Sequence, residues 1–275
     1  DKCKDSLSAR EICALAQKVV STESSDHSIQ CIPLTDGGEG FSELLTHAKN
    51  GNYHSIYAQD SLGEEKEVKI GIVPSDQLEP SLHEFTDLPN QGNWAIIEMS
   101  SIVGLADLAL EKRNPWLTST IGVGQLLEKV GSLGVSAVIL GIGGSSTNDM
   151  GLGALSALGV KFLDHDDLPI SFPNPESWPR IAKISTQGLV SLPPIRIACD
   201  VSNKLLGDDG TTFQFGIQKG LCSSRKIEME ENIEFMSARL ATAFDKPLDF
   251  REQAGSGAAG GVGYGLSLGF DTKFV

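Results

Sequence analysis

The stretch SAVILGIGGSSTNDMGLG, residues 136–153, decides how the rest of the chain is read. Its apolar run through Val138, Ile139 and Leu140 suits a strand buried on both faces, since such strands read as continuous rather than alternating hydrophobics. Two adjacent glycines, Gly143 and Gly144, follow. After them come three hydroxyl residues (Ser145, Ser146, Thr147), the amide of Asn148 and the carboxylate of Asp149, before a helical pattern resumes over Leu152–Leu158. A glycine-rich loop leaves backbone N–H groups unshielded, and a helix start adds partial positive charge, a combination suited to phosphate. The unit expected here is strand, glycine loop, helix.

Upstream the same unit is expected once more. SIQCIPL (28–34) reads as a strand, TDGGEG (35–40) as a loop, and Phe41, Leu44, Leu45 and Ala48 as one face of a helix. Before it, Ser8 and Glu11 have capping-box spacing, and Ile12, Leu15, Ala16 and Val19 recur at helical period, predicting a helix from about Ala9 to Val20. From Tyr53 to Pro74 the pattern shifts to period two, with Leu62-Gly63-Glu64 as the turn of a hairpin. NWAIIEMS (93–100) reads as a strand and the stretch from about Thr120 to Leu133 as a helix. LDHDDLPI (163–170) reads as a hairpin tip, PIRIACDV (194–201) as a strand ending in a carboxylate, and SRKIEMEENIEFMSARLATAF (224–244) as one long exposed helix.

Strands alternating with helices argue for α/β architecture, and the hairpin-rich parts for an inserted α+β unit. The expected division is a Rossmann-like parallel α/β/α domain from 1–50 and 255–275, interrupted by 51–254, which carries the glycine-rich loop. A net charge of −14 repels polyanions and argues against a nucleic-acid partner. Five cysteines (Cys3, Cys13, Cys31, Cys199, Cys222) show no CxxC or paired-histidine spacing, so neither a zinc site nor a disulfide framework is indicated, and a cytoplasmic location is expected. No apolar run is long enough to span a bilayer and no secretory leader is evident, so no membrane partner is expected. A homodimer is left open.

Phosphoryl transfer requires amides or cations around the phosphates, carboxylates for a metal, and an acceptor near the substrate hydroxyl. Candidates for each are present, although no GxxxxGK[ST] loop is. GSGAAG (255–260) matches GxGxxG, but DKPLDFREQA before it is no buried strand; an oxidoreductase using a nicotinamide or flavin would need one there.

The ordered clusters DKCKDSLSA (1–9), DGGEG (36–40), GIGGSSTNDMGLGALSALG (141–159), CDVSN (199–203) with LLG (205–207), FGIQKG (215–220) and GSGAAGGVGYGL (255–266) resemble the bacterial-type glycerate kinases of glyoxylate and sugar-acid pathways. The resemblance spans essentially the whole chain. It implies ATP-dependent phosphorylation of D-glycerate with Mg²⁺, usually to 2-phosphoglycerate, on a two-domain protein whose Rossmann-like domain is interrupted by the second. It also implies a chain that starts one strand earlier and continues past Val275. The sequence departs from the family pattern at Cys3-Lys4-Asp5, where Phe-Lys-Gly is usual, at Thr35 for Ala, at Lys204 for the Pro after Asn203, and at Ile217 for Pro. A catalytically silent nucleotide-binding relative is the alternative that such departures allow.

Gly143, Gly144, Ser145, Ser146 and Thr147 are the expected ATP phosphate loop, with Asn148 beside it. Asn148 and Asp149 are expected to meet Mg²⁺ or its water shell, with capping of the next helix by Asp149 as the alternative. Asp200, at the end of a buried strand, is placed to ligate metal or take the proton of the glycerate hydroxyl, and Asn203 to orient it. Asp36 is the alternative base, and Glu39 a hydroxyl acceptor or metal-side carboxylate. Lys4, Ser6 and Ser8 are candidates for the glycerate carboxylate or the transferred phosphate, Ser8 being equally a helix cap. Lys219 could neutralise phosphate charge or be a solvated surface lysine. Gly255 and Gly257 would let backbone approach the cleft, or serve close packing. The scattered histidines have no assigned role.

Overall fold

The computed structural model describes residues 7–23 and 28–275. Lys4 and Ser6, two of the expected substrate residues, lie outside the described residues, as do Cys3 and Asp5. Helix α1 (Ala9–Glu23) begins as the spacing predicts. Glu11 N donates to Ser8 Oγ at 3.2 Å, and the Glu11 carboxylate accepts from Ser8 N at 2.7 Å. Ser8 is therefore engaged as the cap. Residues 28–34 form no strand: Ile32 and Leu34 are each 63% exposed, and no described strand pairs with them. A strand exists only through a neighbour, and Pro33 has no N–H to offer one.

After α2 (Phe41–Ala48) the chain builds β1 (Asn52–Gln59) and β2 (Glu65–Pro74), paired antiparallel from Asn52↔Ile72 to Gln59↔Glu65. The hairpin turn forms where expected: Asp60 Oδ1 accepts from Leu62 N and Glu64 N, both at 2.9 Å, and Gly63 takes φ +90°. Helix α3 (Pro80–Thr86), β3 (Asn93–Glu98), α4 (Ser100–Val103), α5 (Ile121–Ser132), β4 (Ala137–Gly141) and α6 (Leu152–Ala157) follow. A two-stranded satellite, β5 (Lys161–Leu163) with β6 (Lys183–Ser185), stands apart from the main sheet. Then come β7 (Ile195–Ala198), α7 (Thr211–Phe215), α8 (Lys226–Ala243), α9 (Val262–Gly269) and β8 (Thr272–Phe274).

The main sheet runs β1-β2-β3-β4-β7-β8, antiparallel through β3 and parallel from β3 to β8. All five residues of β4 are buried, and the reason is visible in their partners. Val138 and Leu140 join Ala95, Ile97, Leu126, Leu127 and Val262 on one face, while Ala137 and Ile139 join Phe41, Trp94 and Ile96 on the other. With apolar layers on both sides, alternation has no polar face to show.

Residues 255–275 are not isolated from the main sheet: β8 pairs in parallel with β7 (Ile195↔Thr272, Ile197↔Phe274), and Val262 and Leu266 of α9 lie in the core shared with β4. A parallel neighbour needs a crossover helix on the face of the sheet, and α9 is that helix. Nor is α8 wholly exposed. Met229, Ile233, Met236 and Leu240 form a stripe at helical spacing against Trp178 and Tyr264, and Tyr264 donates its hydroxyl to Ser237 O at 2.8 Å.

Candidate active site

The parallel strands β4 and β7 end at Gly141 and Ala198, and the residues after them open onto a cavity of about 610 Å³. Clefts at the carboxyl ends of parallel strands are the usual ligand sites of α/β sheets. Gly143, Gly144 and Ser145 line it after β4, Asp200 after β7, and Asp36, Gly38 and Glu39 from the loop before α2. The two glycine loops touch directly: Gly143 N donates to Gly37 O at 3.1 Å. A Cβ on Gly143 would stand 2.8 Å from Gly38 Cα, and one on Gly37 2.9 Å from Ala198 O. Glycine at these positions is what lets the loop carrying Asp36 sit against both strand ends.

Lys219 forms the inner wall. It is 2% exposed, and its Nζ donates to Ser145 Oγ at 3.1 Å and to Thr147 O at 2.6 Å. Burial pushes its ammonium down to about 7, opposed by the charge of Asp149. Between pH of about 7 and the ordinary value of 10.5 the unfolded chain then binds more protons than the folded one, so folding stability gains with pH across that window. Lys219→Met is expected to remove this component, which has a slope of up to about 1.4 kcal/mol per pH unit. Urea unfolding of both proteins at several pH values above neutrality checks it, and parallel pH profiles would contradict the burial argument.

Only part of the loop expected to meet phosphate lines the cavity. Ser146 Oγ donates to Val103 O at 2.8 Å, Thr147 is fully buried, and neither lines the cavity. Asn148 is also fully buried, its Oδ1 accepting from Thr211 Oγ1 at 3.1 Å. The surroundings of Asp149 fit the capping alternative. Its buried carboxylate accepts from Thr120 N (2.8 Å), Thr120 Oγ1 (2.9 Å), Gly151 N (3.2 Å) and Gly153 N (3.1 Å), the last two at the start of α6. Burial raises its carboxyl pKa, and the hydrogen bonds from Thr120, Gly153 and Gly151 pull it back.

Asn203 does not line the cavity either: its Nδ2 donates to Asp209 O at 2.7 Å. Gly255 and Gly257 are closely packed, a Cβ on Gly257 lying 1.9 Å from Lys204 O and one on Gly255 2.8 Å from Phe274 Cδ1, while their neighbours Ala258 and Ala259 reach the cavity. The turn before Gly255 is a 3₁₀ segment, Leu248–Glu252, with no strand, so the dinucleotide fingerprint lacks its context. Asp36 Oδ1 accepts from Gly38 N at 3.0 Å.

The sequence reading missed Arg113, Gln218, Ala258 and Ala259, all in the cavity wall. It also missed Glu98, whose buried carboxylate accepts from Ser42 N at 3.2 Å and Ser100 Oγ at 2.8 Å, joining α2 to α4. Arg113 had one local cue, a cation directly before Asn114-Pro115.

Among the described residues no group of three or more His, Cys, Asp or Glu is arranged to hold a metal. Mg²⁺ in phosphoryl-transfer sites takes one or two protein carboxylates and completes its shell with phosphate and water. Asp36, Glu39 and Asp200 line the same cavity. Among the described residues no helix is long and apolar enough to cross a membrane.

The model of the glycerate kinase family matches residues 1–275. The chain is 36% identical over 273 residues to the glycerate kinase of Haemophilus influenzae, covering 98% of this chain and 67% of that one. It is 33% identical over 278 residues to the glycerate 2-kinase of Escherichia coli K12, covering 99% and 68%. A solved Salmonella typhimurium LT2 structure described as glycerate kinase 2 superposes with a TM-score of 0.79 at 29% identity, over 100% of this chain and 69% of that one. The match along the whole chain and the superposed sheet carry one conclusion: this chain belongs to the glycerate kinase family.

Proposed function

We propose that the cavity phosphorylates D-glycerate from ATP, with 2-phosphoglycerate the favoured product. The observation that carries the reading is the convergence of Gly143–Ser145, backed by the buried Lys219, with the carboxylates of Asp36 and Asp200 at the ends of β4 and β7. Gly143 and Gly144 let phosphate oxygens approach the backbone, and Lys219 offsets their charge from below. Asp200 takes the proton of the acceptor hydroxyl, with Asp36 as the alternative base. Whichever of the two is not the base is left, with Glu39, to hold Mg²⁺, which when bound neutralises charge on the phosphates. The two-domain organisation implied by the family belongs to the same proposal, with the loop before α2 at the junction.

The test is ADP release from Mg-ATP with D-glycerate, beside L-glycerate and glycolate, with the product identified by phosphorus NMR. Turnover restricted to D-glycerate is the expected result. A folded protein that binds ATP and turns over none of the three acids would move the reading to the silent relative.

A further inference from the structure

Arg113 stands in the cavity wall, and its surroundings set it apart from the other arginines. Arg10, Arg180, Arg196 and Arg225 each have a carboxylate within ion-pair distance, while Arg239 donates from both terminal nitrogens to Ile181 O and Ala182 O, and Arg251 from one of them to Ser237 Oγ. Among the described residues Arg113 makes one side-chain hydrogen bond, from Nε to Leu108 O at 3.1 Å. That bond fixes the guanidinium plane and leaves both terminal nitrogens uncommitted. The side chain is half-buried and lines the cavity, in a protein with 36 acidic and 22 basic residues. An arginine held by its inner nitrogen in a cavity, without a carboxylate, presents a fork for two oxygens of an anion.

The backbone indicates which anion. The segment leading to Arg113 is tied to the glycine loop, since Leu105 N donates to Gly144 O and Ser146 N to Val103 O, both at 2.8 Å. From the other side, Gly220 packs on Arg113 so tightly that a Cβ there would stand 2.0 Å from Arg113 O. Lys219, next in the chain to that contact, reaches Ser145. The backbones at Arg113 and Gly220 thus abut; Lys219 is bonded to Ser145, and Leu105 in the segment before Arg113 is bonded to Gly144.

We propose that Arg113 is a substrate-contacting residue whose terminal nitrogens bind oxygens of the transferred, terminal phosphate of ATP, beside Lys219. This rests on the reading of Gly143–Ser145 as the phosphate loop. Calorimetric titration of the parent chain, Arg113→Met and Arg113→Lys with ATP and with ADP tests it, together with KM for D-glycerate. Loss of a charge-assisted hydrogen bond predicts ATP affinity about ten- to hundredfold weaker in Arg113→Met, with partial recovery in Arg113→Lys. ADP affinity and the unfolding midpoint stay near those of the parent. Equal weakening of ATP and ADP would overturn the assignment to the terminal phosphate. A raised KM for D-glycerate with unchanged ATP affinity would overturn it in favour of the acid's carboxylate, and a variant indistinguishable from the parent would overturn it outright. If the parent binds neither nucleotide, the phosphate-loop reading falls with it, an outcome separate from a parent that binds and a variant that does not differ.

Discussion

Asp149→Ala is expected to lower the free energy of unfolding by about 3–5 kcal/mol, the range seen when a buried charged partner is removed. The substitution strips the acceptor from Thr120 N, Thr120 Oγ1, Gly151 N and Gly153 N at once, all in a fully buried site. Each donor left without a partner costs on the order of 1–3 kcal/mol, and the terms overlap because one relaxation or one entering water serves several of them. The loss also removes the charge that favours protonated Lys219. Asp149→Asn keeps one acceptor oxygen but turns an amide N–H₂ toward donors, so it should fall between Ala and the parent. Urea unfolding of the three proteins decides it. A loss under about 1 kcal/mol for Asp149→Ala would show that the Thr120–Gly153 network holds without its carboxylate.

Asp200→Asn is expected to reduce turnover by about 10²–10⁴-fold, the usual contribution of a positioned general base. Asp200 is exposed at the end of β7 and has no side-chain partner among the described residues, so its replacement should leave stability within about 0.5 kcal/mol. That separation makes it a clean probe. Burst and steady-state measurements should show kcat falling while ATP affinity changes little. If Asp36→Asn abolishes turnover and Asp200→Asn does not, the base is Asp36, and Asp200 moves to the metal side. Parent-like rates in both would remove the carboxylates from the chemistry altogether.

The local pattern was a good guide to regular elements. The hairpin over Asn52–Pro74, the strands Asn93–Glu98 and Ala137–Gly141 and the helix Ile121–Ser132 all stand within a few residues of their expected places. Each is written in a short window, by alternation, an apolar run or helical period. It misled where a partner decides the outcome. SIQCIPL has strand-like composition but no strand beside it among the described residues, and α8 reads as exposed although its methionine, isoleucine and leucine stripe meets Trp178 and Tyr264. The placement of residues 272–274 depended on a distant partner in the same way, because β8 pairs with β7, over seventy residues away in sequence.

Within the glycine-rich loop the sequence determined which groups are available, and the fold determined which of them face the cavity. Ser145 lines it while Ser146, Thr147, Asn148 and Asp149 turn inward, a choice made by Val103, Thr211 and Thr120, which supply or accept their hydrogen bonds. Lys219 is no different from a surface lysine in composition. It becomes part of the site because Ser145, 74 residues earlier, accepts from its Nζ beneath the loop. Helices, turns and buried strands follow from interactions within a few residues, and those the sequence alone determined. The direction of a side chain in a loop follows from contacts between distant segments, which exist only once the sheet has brought the ends of β4 and β7 together.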